Sequence, residues 1–255
     1  RASTVTVNAS SVTVVRTAPV YVRWAQPARD ALHRALAVTP PESRALVPGL
    51  ALGDTSALPS SLAADMRAAG LSHLTAVSGA NVALVVAGAA LLARRRRTRT
   101  FVVLIAVAAF VVLVRPQPSV LRAAVMAGIS TAAFVLHRRT SVLPALCGAV
   151  VLLVVADPFL ATSYGFALSV AATAGLLLVP VEPRTLLGRA VVTTVAAQLA
   201  VLPLTVALGS PVSLASIPAN LIAVPMAAPA MITGLVVDVV ALVWPWLGSV
   251  LAWSC

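Results

Sequence analysis

Charged residues are scarce in this sequence. Asp, Glu, Lys and Arg make up 10% of the 255 residues, whereas soluble domains contain about 25%. Hydrophobic residues make up 60% of the chain, and the mean hydropathy is +1.01. This composition excludes an ordinary soluble domain and predicts an all-α polytopic membrane protein.

Other residue types are also scarce or absent, and their scarcity excludes several kinds of chemistry. Aromatic residues make up only 4% of the chain and lysine is absent, so all 18 basic residues are arginines. The two cysteines, Cys147 and Cys255, indicate neither a disulfide framework nor a thiolate metal site. We find no metal-ligand spacing, phosphate-binding glycine loop or nucleophile–base pair. The sequence therefore predicts no catalytic residue, metal or cofactor, and we expect this stretch not to be an enzyme.

The first seventy residues differ from the rest. Residues 1–24 are rich in Val and Thr with alternating polarity, which predicts two short strands. Residues 28–38 predict an amphipathic helix that lies in the membrane interface or belongs to a soluble module. We treat 25–70 as linker helices. The chain lacks a start methionine and stops within an apolar run, so we expect it to be an excerpt of a longer protein.

About eight transmembrane helices are predicted between residues 71 and 255, since a helical span needs roughly 17–25 residues. Prolines interrupt the last part, which makes the final two spans the hardest to divide. The predicted spans are 71–93, 100–114, 119–136, 141–156, 159–181, 190–208, 212–231 and 233–253.

Arginines alternate between successive loops. Loops after the first, third and fifth spans hold nine of them, whereas the intervening loops hold one or two. This bias places the odd loops in the cytoplasm and the N-terminal segment outside. The net charge of +11 reflects either this topology or attraction for a polyanion. The predicted topological anchor is the block Arg94, Arg95, Arg96, Arg97 and Arg99.

Polar residues recur at helical spacing inside four predicted spans. Such stripes either line a shared aqueous path or form hydrogen bonds between helices. Strongly polar groups at membrane depth favour the first interpretation. The groups are Ser78 with Asn81, Ser119 with Arg122 and Ser130, Thr162 with Ser169 and Thr173, and Thr194 with Gln198 and Thr205.

Two charged residues within the spans leave alternatives open. Arg122 lies near Pro118, so it either faces the path or extends its side chain to the interface. Asp238 is the one acid well inside an apolar run. It is a proton or cation site, a partner of Arg122, or a residue in a shallow break between the last two spans.

Five segments, in order, resemble the membrane competence domain of the ComEC family of DNA-uptake proteins. The resemblance covers roughly residues 45–235, and its strength lies in the ordered set. The segments are ALVPGLALGDTS (45–56), HLTAVSGANVALV (73–85), QPSVLRAAVMAG (117–128), SYGFALSVAATAGLLL (163–178) and QLAVLPLTVALGSPVSLASIPANLIAVP (198–225). The family usually has SGLHV where this chain has SGANV, so Asn81 replaces a common histidine. It often has FQLS where this chain has FALS.

The resemblance implies a plasma-membrane channel that imports single-stranded DNA during natural transformation. It further implies that 1–24 is the end of an OB-like extracytoplasmic module and that 71–255 is the channel domain. A metallo-β-lactamase-like domain is expected beyond residue 255. The implied partners are single-stranded DNA, the lipid bilayer, a DNA receptor and a cytoplasmic motor protein. The residues expected to line the DNA path are Ser78, Asn81, Arg122, Gln198 and Asn220.

Two other functions remain as alternatives. One is a secondary transporter of small solutes that uses Asp238 as its coupling-ion site and the proline-interrupted 211–253 region for binding. No inverted repeat is visible, which counts against it. The other is a membrane anchor for flanking soluble domains.

Overall fold

The computed structural model describes residues 20–138, 141–179, 185–209 and 216–254, without the side chains of residues 186 and 187. These residues form helices and connecting turns, with no strand among them. The α-helices are α1 (Val20–Leu36), α2 (Pro41–Leu52), α3 (Ser60–Ala68), α4 (Gly79–Leu91), α5 (Arg96–Val114), α6 (Pro118–Val135), α7 (Val142–Ala156), α8 (Tyr164–Leu178), α9 (Leu186–Ala207), α10 (Ser216–Val243) and α11 (Pro245–Leu251). Short 3₁₀ turns occupy Ser72–Leu74, Pro158–Thr162 and Ala252–Ser254.

Five segments are long and apolar enough to cross a bilayer, judged by length and composition. Two further apolar helices, α7 and α8, are shorter, with 15 residues each. Many large apolar side chains lie on the outside, as a surface covered by lipid requires. The five segments are Ser72–Leu91, Arg96–Val114, Pro118–Val135, Gly188–Ala207 and Ser216–Val243. The structure therefore supports a helical multi-pass membrane protein.

The predicted division of the last two spans is wrong. Residues 216–243 form the single helix α10, although Pro225 and Pro229 lie inside it. A proline removes one backbone hydrogen bond, whereas a broken helix in an apolar setting would leave several groups unbonded, so continuation is favoured. The break comes instead at Trp244, whose backbone is not helical (φ −130°, ψ 86°), directly before Pro245.

The N-terminal predictions are only partly correct. Residues 1–19 lie outside the described part, so the strands proposed there are not tested. Residues 20–24, assigned to the same strands, form the first turns of α1. The amphipathic helix is confirmed but is longer than predicted, and its buried face includes Leu32 and Leu36. It packs mainly against α10, α5 and α11 as part of the helical bundle.

The main core joins α1, α2 and α10 to α4, α5 and α6. Close approach of α2 and α10 depends on Gly234, where a Cβ atom would lie 2.7 Å from Val47 Cγ1. The helices α8 and α9 meet at Gly175, where a Cβ atom would lie 2.4 Å from Ala200 Cβ. Small residues at such crossings let helix backbones approach closely, which is the usual packing device of membrane helices.

Candidate functional site

The predicted Ser78–Asn81 segment forms the beginning of α4. Ser78 has an extended backbone (φ −101°, ψ 167°) and precedes the first helical residue, Gly79. Its hydroxyl donates to Asn81 Oδ1 at 2.9 Å, and Asn81 Nδ2 donates to the Leu50 carbonyl oxygen at 3.3 Å. The N-terminus of α4 is thereby attached to the end of α2. A helix N-terminus carries a partial positive charge, so this end favours an anion.

Arg122 lies directly against this helix end. Pro118 begins α6, which places Arg122 one turn further along. One terminal nitrogen of its guanidinium would lie 3.2 Å from a Cβ atom placed on Gly79. The helices are held together here by Ser119, whose hydroxyl donates to the Val77 carbonyl oxygen at 2.8 Å. The structure therefore brings together Ser78, Asn81 and Arg122.

The guanidinium of Arg122 has only uncharged partners. Its Nε donates to Ser169 Oγ on α8 at 3.0 Å, and one terminal nitrogen donates to Met126 Sδ at 3.0 Å. The residue is 4% exposed. No carboxylate of the described residues lies within 4.0 Å of it. We name the set Ser78, Gly79, Asn81, Arg122 and Ser169 the Arg122 group. It contains a buried cation at a helix N-terminus that has no acidic counterion in the part of the chain that the structure describes.

Gln198 and Asn220 belong to a second polar group, on α9 and α10. Gln198 Nε2 donates to Ser216 Oγ at 2.8 Å. Ser216 also packs on Gly70, a left-handed residue (φ +69°) where a Cβ atom would lie 2.5 Å from Ser216 Cβ. Asn220 is buried one turn beyond Ser216, and its Oδ1 has no hydrogen-bond partner among the described residues. The five predicted path residues thus fall into two groups.

A buried charge cluster that the sequence analysis missed lies on the other side of α2. Arg29 on α1 is 4% exposed and forms an ion pair with Asp54, with 2.9 Å between Nη2 and Oδ2. Its other terminal nitrogen donates to the Leu113 carbonyl oxygen at 3.2 Å. His33 Nε2 lies 3.3 Å from the same Asp54 oxygen. The spacing of Arg29 and His33, four residues apart on one helix face, was the available signal for a shared acidic partner.

Asp54 is held in its ionised form. Burial raises the pKa of its carboxyl, but hydrogen bonds from Ser56 and His33 and the charge of Arg29 outweigh burial. The pKa therefore lies well below its ordinary value. The Ser56 backbone N–H donates to Asp54 Oδ1 at 3.1 Å. Arg29 and Asp54 thus form a neutral pair that joins α1 to the segment after α2.

Asp238 lies near this pair, which overturns two of its three predicted settings. It is 1% exposed and lies inside the uninterrupted α10, so it does not occupy a shallow break. Arg122 is not its partner, since no ion pair joins the two among the described residues; Asp238 instead shares a cavity with Ala28, the neighbour of Arg29 on α1. The ion-site interpretation of Asp238 remains a prediction.

The arginine block lies where α6 ends. Arg96 donates to the Phe134 carbonyl oxygen and stacks 4.0 Å from the Phe134 ring centroid. Its Nη1 also lies 2.8 Å from His137 Nδ1. Arg94, Arg95, Arg97 and Arg99 are exposed. The loops after the first and third predicted spans therefore share one end of the bundle, in agreement with the predicted alternation.

Two cavities lie outside both polar groups. One, of about 190 Å³, lies between α4, α5 and α6 at the arginine end and is lined by Arg99, Thr100, Ser130 and Thr131 together with apolar side chains. The other, of about 180 Å³, is lined by Asp238 and apolar residues of α1, α5 and α10. Within the described ranges, no three His, Cys, Asp or Glu side chains converge to hold a metal.

Comparison with known proteins identifies the family. The sequence profile of the competence protein family matches residues 50–255. ComE operon protein 3 of Bacillus subtilis (strain 168) is 29% identical over 210 residues, which is 80% of this chain and 27% of that protein. The chain thus spans about a quarter of the length of this relative. No solved structure matches the chain. From the family match over most of its length, we conclude that the chain belongs to the competence protein family, as its ComEC-like segments predicted.

Proposed function

We propose that this chain is the membrane part of a channel that imports single-stranded DNA across the plasma membrane during natural transformation, and that Arg122 contacts the phosphates of the strand. One observation carries the assignment of the contact point: Arg122 is buried but has no acidic partner among the described residues. Membership of the competence protein family supports the process.

A phosphodiester supplies the charge that this position lacks. Burial of an unpaired cation is unfavourable, and an anion that enters the site offsets the penalty. The guanidinium fork matches phosphate oxygens in two parallel hydrogen bonds. The α4 N-terminus at Gly79 adds a partial positive charge on the same side. A phosphate at this point would therefore be attracted both by the Arg122 guanidinium and by the N-terminus of α4.

Such a contact recognises the phosphate backbone of the DNA strand and not its bases. With aromatic residues at 4% of the chain, stacking along an extended groove does not contribute, so passage is indifferent to base sequence. The hydroxyls of Ser78 and Ser169 offer further hydrogen bonds close to Arg122. Because the sequence has no nucleotide-binding loop, the energy for movement comes from a motor protein, and a receptor delivers the strand.

Replacement of Arg122 tests the proposal. In the full-length protein, Arg122→Gln removes the charge and retains hydrogen-bonding capacity. We expect transformation frequency to fall about 10- to 100-fold, since a hydrogen bond to a charged group contributes about 1.5–3 kcal/mol. Arg122→Lys keeps the charge without the fork and should give an intermediate loss.

The matched control is Arg115→Gln, which removes the same charge from an exposed position at the end of α5. It should transform as the unaltered protein does. If Arg122→Gln reaches the membrane in normal amount and transformation is unchanged, Arg122 does not contact the DNA.

The two alternative functions predict other results. A solute transporter coupled through Asp238 would lose proton-driven solute flux in Asp238→Asn and retain it in Arg122→Gln. A membrane anchor would tolerate both changes, because neither removes an apolar span. Loss of DNA entry in Arg122→Gln alone therefore separates the three functions.

A further inference from the structure

Asp238 is a deeply buried acid within the apolar helix α10. Its side chain is among the most deeply buried of the chain, at 1% exposure. Its Oδ1 has no hydrogen-bond partner among the described residues. An ionised carboxylate in this setting is strongly disfavoured unless it is paired or neutralised. The structure must therefore supply Asp238 with a positive charge.

The charged groups around Asp238 do not supply it. Arg29 follows Ala28, which lines the same cavity as Asp238, but Arg29 is already paired with Asp54 at 2.9 Å. In the described ranges, α11 and residues 252–254 carry no charged side chain. Within α5, the arginine nearest to the cavity-lining Leu113 is Arg99, about 20 Å away along the helix. Arg115 directly follows α5, and it is exposed. The other charged or titratable residues on helices that pack against α10 are Tyr21, Arg23, Asp30, His33 and Arg34 on α1, Glu42 and Arg44 on α2, and Arg189 on α9.

The cavity beside Asp238 indicates which cation can complete the site. It measures about 180 Å³, and apart from Asp238 its lining side chains are alanines, valines, leucines and one tryptophan. A metal cation in proteins takes several oxygen ligands, which these walls do not offer. A proton needs only the carboxylate oxygen itself. The route of that proton to water would run through this cavity.

We propose that Asp238 is a proton-binding site and that its proton determines which acid Arg29 pairs with. When Asp238 holds the proton, its carboxyl is neutral and Arg29 remains paired with Asp54. When the proton passes to water, the carboxylate competes with Asp54 for the single guanidinium. One proton leaves, no other bond is broken, and the ion pair between α1 and the segment after α2 is weakened.

The position of Asp54 connects this site to the Arg122 group. Asp54 follows Gly53, a left-handed residue (φ +65°) where a Cβ atom would lie 2.8 Å from Val77 Cγ2 and 3.0 Å from Gln117 Nε2. Val77 precedes α4, and Gln117 precedes α6. A weaker ion pair between Arg29 and Asp54 would therefore affect the Gly53–Asp54 segment, which packs against the residues that precede α4 and α6. The proton site itself stands whether or not the chain carries DNA.

Infrared spectroscopy of the full-length protein in phospholipid vesicles tests the proton directly. At neutral pH the unaltered protein should show a carboxylic-acid carbonyl band that is absent in Asp238→Asn and shifts in heavy water. Asp65→Asn, which removes an exposed acid of α3, is the matched control and should leave this band in place. Asp54→Asn frees Arg29 to pair with Asp238, so it should weaken the band. If the unaltered protein and Asp238→Asn have the same spectrum in the acid region, Asp238 holds no proton.

Thermal unfolding of the same variants tests the pairing. Asp238→Asn replaces a neutral acid by a neutral amide, so we expect a Tm shift below about 4 °C. Asp54→Asn removes the ion pair that joins α1 to the segment after α2 and should lower Tm by clearly more. Equal losses for the two variants would show that Arg29 is already shared between both acids, which overturns the proposed switch.

Discussion

Two arginines, Arg29 and Arg122, are buried to the same degree but have different interaction partners. Each is 4% exposed. Arg29 pairs with the Asp54 carboxylate at 2.9 Å and donates to the Leu113 carbonyl oxygen. Among the described residues, Arg122 donates only to the Ser169 hydroxyl and the Met126 sulfur. Within that part of the chain, one buried charge is neutralised and the other is not.

Under the proposed function, this difference separates a structural role for Arg29 from a DNA-contacting role for Arg122. A buried ion pair is complete, so it holds α1 to the segment after α2 and has little to offer a ligand. A buried cation without a counterion is unfavourable in the empty protein, and strongly polar groups in such positions tend to be functional. Burial alone would have ranked the two arginines equally.

The largest expected effect is on stability at Arg29. We expect Arg29→Gln to lower the free energy of unfolding by about 3 kcal/mol, the lower end for a buried ion pair, because it leaves the half-buried Asp54 without its partner. Chemical unfolding in detergent measures the loss, with Arg122→Gln as the control that should lose much less. Comparable losses for both variants would remove the distinction drawn between the two arginines.

The second prediction concerns a variant in which Arg122 gains a carboxylate partner, as Arg29 has in Asp54. Ser169→Asp places a carboxylate beside the guanidinium, since Ser169 Oγ lies 3.0 Å from Arg122 Nε. The new pair neutralises the site, so transformation frequency should fall about 10- to 100-fold while the protein remains folded. Ser169→Asn, of the same size without the charge, should cause a much smaller loss. The hypothesis fails if the two variants transform equally.

A third prediction compares the packing of the two regions. A Cβ atom on Gly234 would lie 2.7 Å from Val47 Cγ1, inside the contact of α2 with α10. Gly234→Ala should therefore cost about 1–3 kcal/mol of stability. At Gly79 the obstacle is the end of the Arg122 side chain at 3.2 Å, which can move, so Gly79→Ala should cost less stability yet impair transformation. Gly88→Ala, with nothing within 4 Å, is the control for both.

The smallest effect is the acid dependence of the Arg29 pair. Because the folded-state pKa of Asp54 lies below its ordinary value, its contribution to stability is complete at neutral pH. It is lost as the pH falls below about 3.9, the value in an unfolded chain, toward the lower folded-state pKa. The difference in Tm between the unaltered protein and Asp54→Asn should narrow over this range. If this difference in Tm stays constant as the pH falls, the ion pair with Arg29 does not lower the pKa of Asp54.

Local patterns predicted part of the Arg122 group. The helical spacing of polar residues put Arg122 and Ser169 on polar stripes that either line a path or form hydrogen bonds between helices, and the two residues do form such a bond. The ion pair between Arg29 and Asp54 could not be found in this way, because its partners lie 25 positions apart on separate elements. The continuity of α10 through Pro225 and Pro229 was also missed, since neighbouring helices and the apolar setting decide whether a proline breaks a helix.

The contact of Arg96 with Phe134 fixes how the Arg122 region can move. By joining the start of α5 to the end of α6, it provides a pivot point. Arg122 lies twelve residues from Phe134 along α6, about 18 Å from that pivot. A tilt of α6 by about ten degrees would therefore displace Arg122 by about 3 Å, roughly one hydrogen-bond length, while the arginine end remained closed.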